Sequence, residues 1–286
     1  MKTILLLLAI AGGIIFPYGE RYTFLIRYFL MILLFFAFLD IKIDKGIIQK
    51  THFIILAATI GIAILIYFLI KPFSIEIAQT AFITAISPTA IAAPVIISLR
   101  KRKVEFVAFS LVLNNIVITM LIPFLLTWLI QSSKDISLGE ILWPVLITLS
   151  IPLAAGQILK IIFPKGWHFL VDWKDSVFYI LIANIYIATS DAATYIGSEM
   201  TSDLSVVLII GAISAGLCIF LFSVGYFLGG KEHSAEASQA LGQKNNAFTL
   251  WIALTFISPL AALGPVFYVL CQNIYISWEL YRLSKK

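Results

Sequence analysis

Runs of apolar residues, each close to or beyond twenty long, recur along this chain with only short polar connections between them. About 18–20 such residues are what an α-helix needs to cross the hydrocarbon core of a bilayer. Composition agrees, since 61% of the 286 residues are hydrophobic and only 12% are charged, far more apolar than a soluble domain. The runs lack the two-residue alternation of membrane β-barrels. The expected fold class is therefore an all-α polytopic membrane protein.

Pro, Gly and charge divide the chain into ten candidate spans, at 3–18, 22–40, 52–70, 75–99, 104–131, 139–163, 170–190, 203–228, 234–257 and 259–281. The most polar connections, 131–140 and 190–203, leave no room for a soluble domain, so residues 1–286 read as one transmembrane unit. The distribution of cations tests the count. With ten spans, the side bearing both termini holds Lys2, Lys42, Lys45, Lys50, Arg100, Lys101, Arg102, Lys103, Lys160, Lys165, Lys174, Lys231, Arg282, Lys285 and Lys286. The other side holds Arg21, Arg27, Lys71 and Lys134, and Lys244 lies inside a run. That excess places both termini in the cytoplasm. The net charge of +5 comes from these loop clusters, so nucleic acid is not an expected partner. Met1-Lys2, Ile4–Ile10 and Ala11-Gly12-Gly13 resemble a secretory signal peptide. The apolar stretch continues to Phe16-Pro17, however, and its loss would leave nine spans, so a retained first helix is expected.

Two correspondences point to an internal repeat. Ile14-Ile15-Phe16-Pro17 recurs as Ile161-Ile162-Phe163-Pro164. The fourth run is broken by Ser87-Pro88-Thr89 and Pro94, and the ninth by Gly242-Gln243-Lys244-Asn245-Asn246. If residues 1–131 and 139–283 are two copies of five spans, they have opposite topology. Paired interrupted helices in inverted halves mark a secondary transporter with its site near the midplane. Prolines alone can simply kink a membrane helix, but two of them six residues apart, with Ser87 and Thr89, favour local unwinding.

Lys244 sharpens this reading. A cation at bilayer depth costs at least about 2.5–3.5 kcal/mol and is normally paired, hydrated or functional. Irregular, amide-rich backbone at that depth is tolerated only where it is buried in protein or lines a cavity. The segment from Ser238 to Asn246 thus reads as a binding site. In the fifth run Ser110, Asn114 and Thr119 approximate one helical face, while Asn115 points to another. Interhelical hydrogen bonding is the plain alternative for this set, and Asn273 is expected to be structural. Asn184, Thr189 and Asp191 mark either an external vestibule or the membrane edge.

No enzymatic constellation emerges. His52, His168 and His233 fall at the ends of runs and are expected at the surface. Asp40, Asp44, Glu140, Asp172, Asp175, Glu199 and Asp203 lie in connections without a metal- or diphosphate-binding pattern. Cys218 and Cys271 read as small core residues. A non-enzyme without cofactor or metal is expected.

Gln243-Lys244-Asn245-Asn246-Ala247, then Ser258-Pro259-Leu260-Ala261-Ala262-Leu263-Gly264-Pro265-Val266-Phe267 and Gln272-Asn273-Ile274, resemble the bile acid:sodium symporter family. The resemblance implies a panel domain and a core domain, with spans 4 and 9 crossing as broken helices. It also implies an organic anion bound beside that crossing and two driving sodium ions. Thr89, Ala90, Ile91, Asn245 and Asn246 are the implied substrate contacts, and Ser87, Pro88, Pro94 and Gly242 the helix breaks. A bacterial plasma membrane is the expected location.

The chain departs from the family where sodium would bind. The family's Pro-Gly-Gly-Thr-Ala-Ser-Asn is Pro88-Thr89-Ala90-Ile91-Ala92-Ala93-Pro94 here, and its Glu-Val-Gly-Met-Gln-Asn is Gln239-Ala240-Leu241-Gly242-Gln243-Lys244. The bridging carboxylate is thus Gln239, and an asparagine is replaced by Lys244. Ser110 matches a ligand serine, and Asn114 takes a threonine's place. Lys244 is expected to occupy a former sodium position, with Ser110, Asn114 and Gln243 as partners. It either stays charged, giving a sodium-independent carrier, or cycles between charged and neutral forms and couples transport to protons. A sodium-coupled symporter, an auxin-efflux-type carrier and a non-transporting membrane sensor are the alternatives.

Overall fold

The computed structural model describes residues 2–39, 48–90, 92–129, 137–164, 166, 169–170, 174–198 and 204–284. Its principal elements are α1 (Lys2–Ile15), α2 (Leu25–Phe38), α3 (Lys50–Ile70), α4 (Ile75–Ile86), α5 (Ala92–Leu99) and α6 (Val104–Leu129). They continue with α7 (Leu138–Ile162), α8 (Phe178–Ser198), α9 (Leu204–Leu228), α10 (Gly230–Gly242), α11 (Asn246–Phe256) and α12 (Pro259–Ser284). Short 3₁₀ turns at Pro17–Tyr22 and Lys174–Val177 precede α2 and α8.

The helix boundaries have local causes. Ser137 and Glu140 form a reciprocal capping box at the start of α7, the Ser137 N–H donating to the Glu140 carboxylate at 2.8 Å. Ser74 caps α4 by accepting from the Ile77 N–H at 3.3 Å. The seventh run differs from expectation. Its helix covers 178–198 rather than 170–190, because Ala192-Ala193 continues the helix past polar Ser190-Asp191 and packs Ala192 against Ile210 and Leu260.

Among the described residues five helices are long and apolar enough to cross a membrane: α3, α6, α7, α9 and the first 21 residues of α12. Their outward faces are apolar, with Ile161 79% and Phe227 77% exposed, a surface suited to lipid rather than water. The chain is an integral membrane protein.

Helices α1, α2, α7 and α8 form one packed group, and α3–α6 with α9–α12 form another. In the first group a Cβ at Gly19 would lie 2.7 Å from the Ser190 hydroxyl, and one at Gly13 would lie 2.8 Å from Thr189 Cβ. Glycine therefore sets how closely the N-terminal segment approaches α8. Tyr186 closes the same contact, its hydroxyl donating to the Phe16 carbonyl at 2.9 Å. In the second group α12 crosses α4 at Gly264, where any Cβ would run into Thr84 and Thr80. The groups touch mainly where α8 meets α12 and α6 meets α7, and where α11 reaches α2.

Candidate functional site at the crossing of two broken helices

The two interrupted helices meet at their interruptions. At the end of α4, Ser87 leaves helical geometry (φ −48°, ψ 132°), as expected of a residue before proline. At the end of α10, Gln243 does the same (φ −86°, ψ 106°). The two extended segments run antiparallel with Thr89 opposite Lys244. Ala90 N–H donates to the Gln243 carbonyl and Asn245 N–H donates to the Pro88 carbonyl, both at 2.8 Å. Each break thus satisfies backbone groups of the other without water, which is what apolar surroundings demand. Pro94 sits in the first turn of α5, where its missing N–H costs nothing. Asn245 caps α11 by accepting from the Phe248 N–H at 3.4 Å.

Side chains from α6 and α12 hold the crossing. Thr89 donates its hydroxyl to the Ala240 carbonyl at 2.6 Å and accepts from Asn114 Nδ2 at 2.7 Å. Asn115 Nδ2 donates to the Thr89 carbonyl at 2.9 Å. Adjacent asparagines on different faces therefore converge on one residue of the broken helix. From α12, Gln272 Oε1 accepts from the Lys244 N–H at 3.0 Å, and the Tyr268 hydroxyl donates to the Gly242 carbonyl at 2.6 Å. Gly242 has no room for a Cβ against the Phe222 ring. Lys244 is 2% exposed.

Several expected roles change. Ser110 bonds His52 Nδ1 at 2.7 Å and is committed there rather than to Lys244. His52 and His233 are buried at 0% and 3% exposure, not at the surface. His233 stacks on Phe106 with ring centroids at 4.6 Å, and His52 lies tilted against the same ring at 4.1 Å, so aromatic packing offsets their desolvation. Gln239 Nε2 donates to Glu279 at 2.9 Å, and Glu279 pairs with Arg100 at 2.7 Å. The polar groups of Thr89 and the N–H of Ala90 are consumed by the crossing itself, leaving them as scaffold. Asn184 is fully buried with neither amide atom bonded, so it is no vestibule marker. Thr189 bonds its own helix at Ile185 O, and Asp191 accepts from Thr23 at 3.3 Å. Asn273 does likewise within α12, donating to Val269 O at 2.7 Å. Ile91 and His168 lie outside the described residues.

Asn246 lines a narrow, almost wholly apolar crevice of about 10 Å³, room for about one water, between the two helix groups, walled by Leu181 and Ile185 of α8, Leu250 of α11, and Pro265 and Val269 of α12. Its Oδ1 is buried without a partner. At the crossing the N-termini of α5 and α11 bring their partial positive ends together beside a lysine, a combination that favours an anionic group. Gln272 stands out in the sequence only within the Gln272-Asn273-Ile274 string, and Tyr268 and Glu279 do not stand out at all, because the apolar pattern of α12 gives no sign of the partner each meets.

The chain matches no family model and no curated protein sequence.

Proposed function

We propose that this protein is a secondary transporter of a small organic anion, a divergent relative of the bile acid:sodium symporters in which Lys244 stands in for a driving sodium ion. In this reading all ten runs span the membrane as two inverted repeats, 1–131 and 139–283. Helices α1, α2, α7 and α8 are the panel, and the remaining helices are the core. Both termini face the cytoplasm of a bacterial cell. The panel and core alternate by elevator-like or rocking motion around the crossing.

The observation that carries the proposal is the reciprocal bonding of the two helix breaks with Lys244 at their meeting point. The crevice at Asn246 marks a seam between the groups that would move. At about 10 Å³ it is far below the roughly 300–1,000 Å³ of ordinary ligand sites, so in this reading the groups must part before substrate enters. Sodium independence follows from chemistry. Where the resemblance places sodium ligands the chain has Ala93, Pro94 and a Gln239 whose amide is bonded to Glu279. A sodium ion 4 Å from the Lys244 ammonium would be repelled by about 4 kcal/mol at an effective dielectric near 20.

The test is a thermal-shift screen of organic anions with the purified protein, with and without sodium, followed by flux of any hit into proteoliposomes. Binding and flux are expected to be indifferent to sodium, and Lys244→Gln is expected to lose flux. A sodium-dependent rate would remove the lysine-for-sodium reading, and binding without flux would mark a sensor instead.

A further inference from the structure

Bonding is conspicuously incomplete along one face of α10. Both ring nitrogens of His233, one carboxylate oxygen of Glu236, and the amide oxygens of Gln239 and Gln243 are buried without a hydrogen-bond partner. All four side chains are 3% exposed or less. Glu236, Gln239 and Gln243 recur at helical spacing on the same face, and His233 stands at its start, where α10 kinks (φ −129°, ψ 23°). This face starts at the basic end of the molecule, next to solvent-facing Glu232. It ends at Lys244. Asn114, with an unbonded Oδ1, borders its inner end from α6.

Left dry, each such group is strongly destabilising, and five such atoms together would rival the whole stability of a typical domain. Buried polar groups in that situation are normally met by ordered water. The spacing suits it. Side chains one turn apart on a helix lie about 5–6 Å from each other, and one water accepting and donating hydrogen bonds of about 2.8 Å spans that gap.

We propose that α10 carries a file of water molecules from the basic end of the molecule to Lys244, with His233, Glu236, Gln239 and Gln243 as its polar stations, and that Lys244 exchanges its proton along it. The proposal rests on Lys244 acting as the ion substitute, and it selects proton coupling over a permanent charge. In the transfer a Lys244 N–H bond breaks as the first water gains that proton. O–H bonds then form and break along the waters and at the Glu236 carboxylate, an N–H bond forms and breaks at a His233 ring nitrogen, and bulk water takes the proton up. No electrons change hands. The groups facing the file are His52 of α3 behind the Phe106 ring, Lys103 through its N–H to Glu236 at 3.1 Å, and Arg100 with Glu279 at Gln239. Tyr268 and Gln272 of α12 face the Lys244 end, with Cys218 of α9 behind Tyr268.

Hydration is tested on the unmodified protein by hydroxyl-radical footprinting in isotopically labelled water. Phe106 and Tyr268, at the two ends of the file, are expected to be oxidised about tenfold faster than Phe82 and Tyr67, which are equally buried but away from it. Equal rates within each pair would overturn the proposal. Proton movement is tested by stopped-flow pH jumps with a dye. The unmodified protein is expected to exchange one proton per chain that Lys244→Met does not, and Glu236→Leu to keep that amplitude but slow it about a hundredfold. An unchanged rate overturns the path. An amplitude no different in Lys244→Met also overturns it, while leaving the carrier with a permanently charged lysine. Neither readout needs a substrate, so failure of the transporter reading would be seen separately, in the flux assay.

Discussion

The two broken helices use one backbone device for two different chemistries. On the α4 side both buried threonines short of the break are answered locally, Thr80 donating to Glu76 O at 2.8 Å and Thr84 to Thr80 O at 2.7 Å. The rest of its buried surface is apolar, Phe82, Ile83 and Ile86 among it. On the α10 side, among small apolar residues such as Ala237 and Ala240, the buried surface includes His233, Glu236, Ser238, Gln239, Gln243 and Lys244, much of this polar set unanswered. The first helix answers its own polar groups, and the second leaves several of its own unanswered. Two helices broken in the same way need not carry the same chemistry.

Substitutions can break or sharpen that contrast, and thermal unfolding in detergent reads them all. The largest effect is expected from Gly264→Leu, which forces side-chain atoms into Thr80 and Thr84 at the α4–α12 contact. It should cost about 3 kcal/mol or prevent folding. Lys244→Met should act in the opposite direction, raising stability by about 2.5 kcal/mol through removal of a charge at membrane depth, while abolishing flux. A stability loss there would show that the ammonium is well paired and that the two sides differ less than argued. Thr89→Val removes a donor to Ala240 O and an acceptor for Asn114, and should cost about 2 kcal/mol. The smallest change is expected from Ser87→Ala. Its hydroxyl is buried and unbonded, so its loss should stabilise by about 0.5–1 kcal/mol.

Much of the scaffold is legible in the sequence, because backbone at membrane depth has few options. Apolar runs locate the helices, and proline, glycine and amides locate both interruptions. The lysine stands out because its cost in lipid is large compared with everything near it. Pairing across the chain is less legible. Ser110 reads as a partner of Lys244 but finds His52, since nothing local reveals which face of α3 it meets. His52 and His233 read as surface residues because they close apolar runs. Phe106, far from both in sequence, turns those ends into a buried stack. Gln239 likewise reads, by resemblance, as the replacement of a carboxylate, yet its amide is held by Glu279 forty residues on.

The exchange of bonds between the two breaks also constrains how the protein is made. Thr89 and Ala240, bonded at the crossing, lie 151 residues apart in the chain. At ribosomal speeds of about 5–20 residues per second, roughly 8–30 s pass between their syntheses. During that interval the Pro88 carbonyl and Ala90 N–H have no partner, and lipid offers none. In the ten-span reading proposed above, the fourth run waits in a wet or proteinaceous shelter, or only partly inserted, until the ninth arrives to complete it.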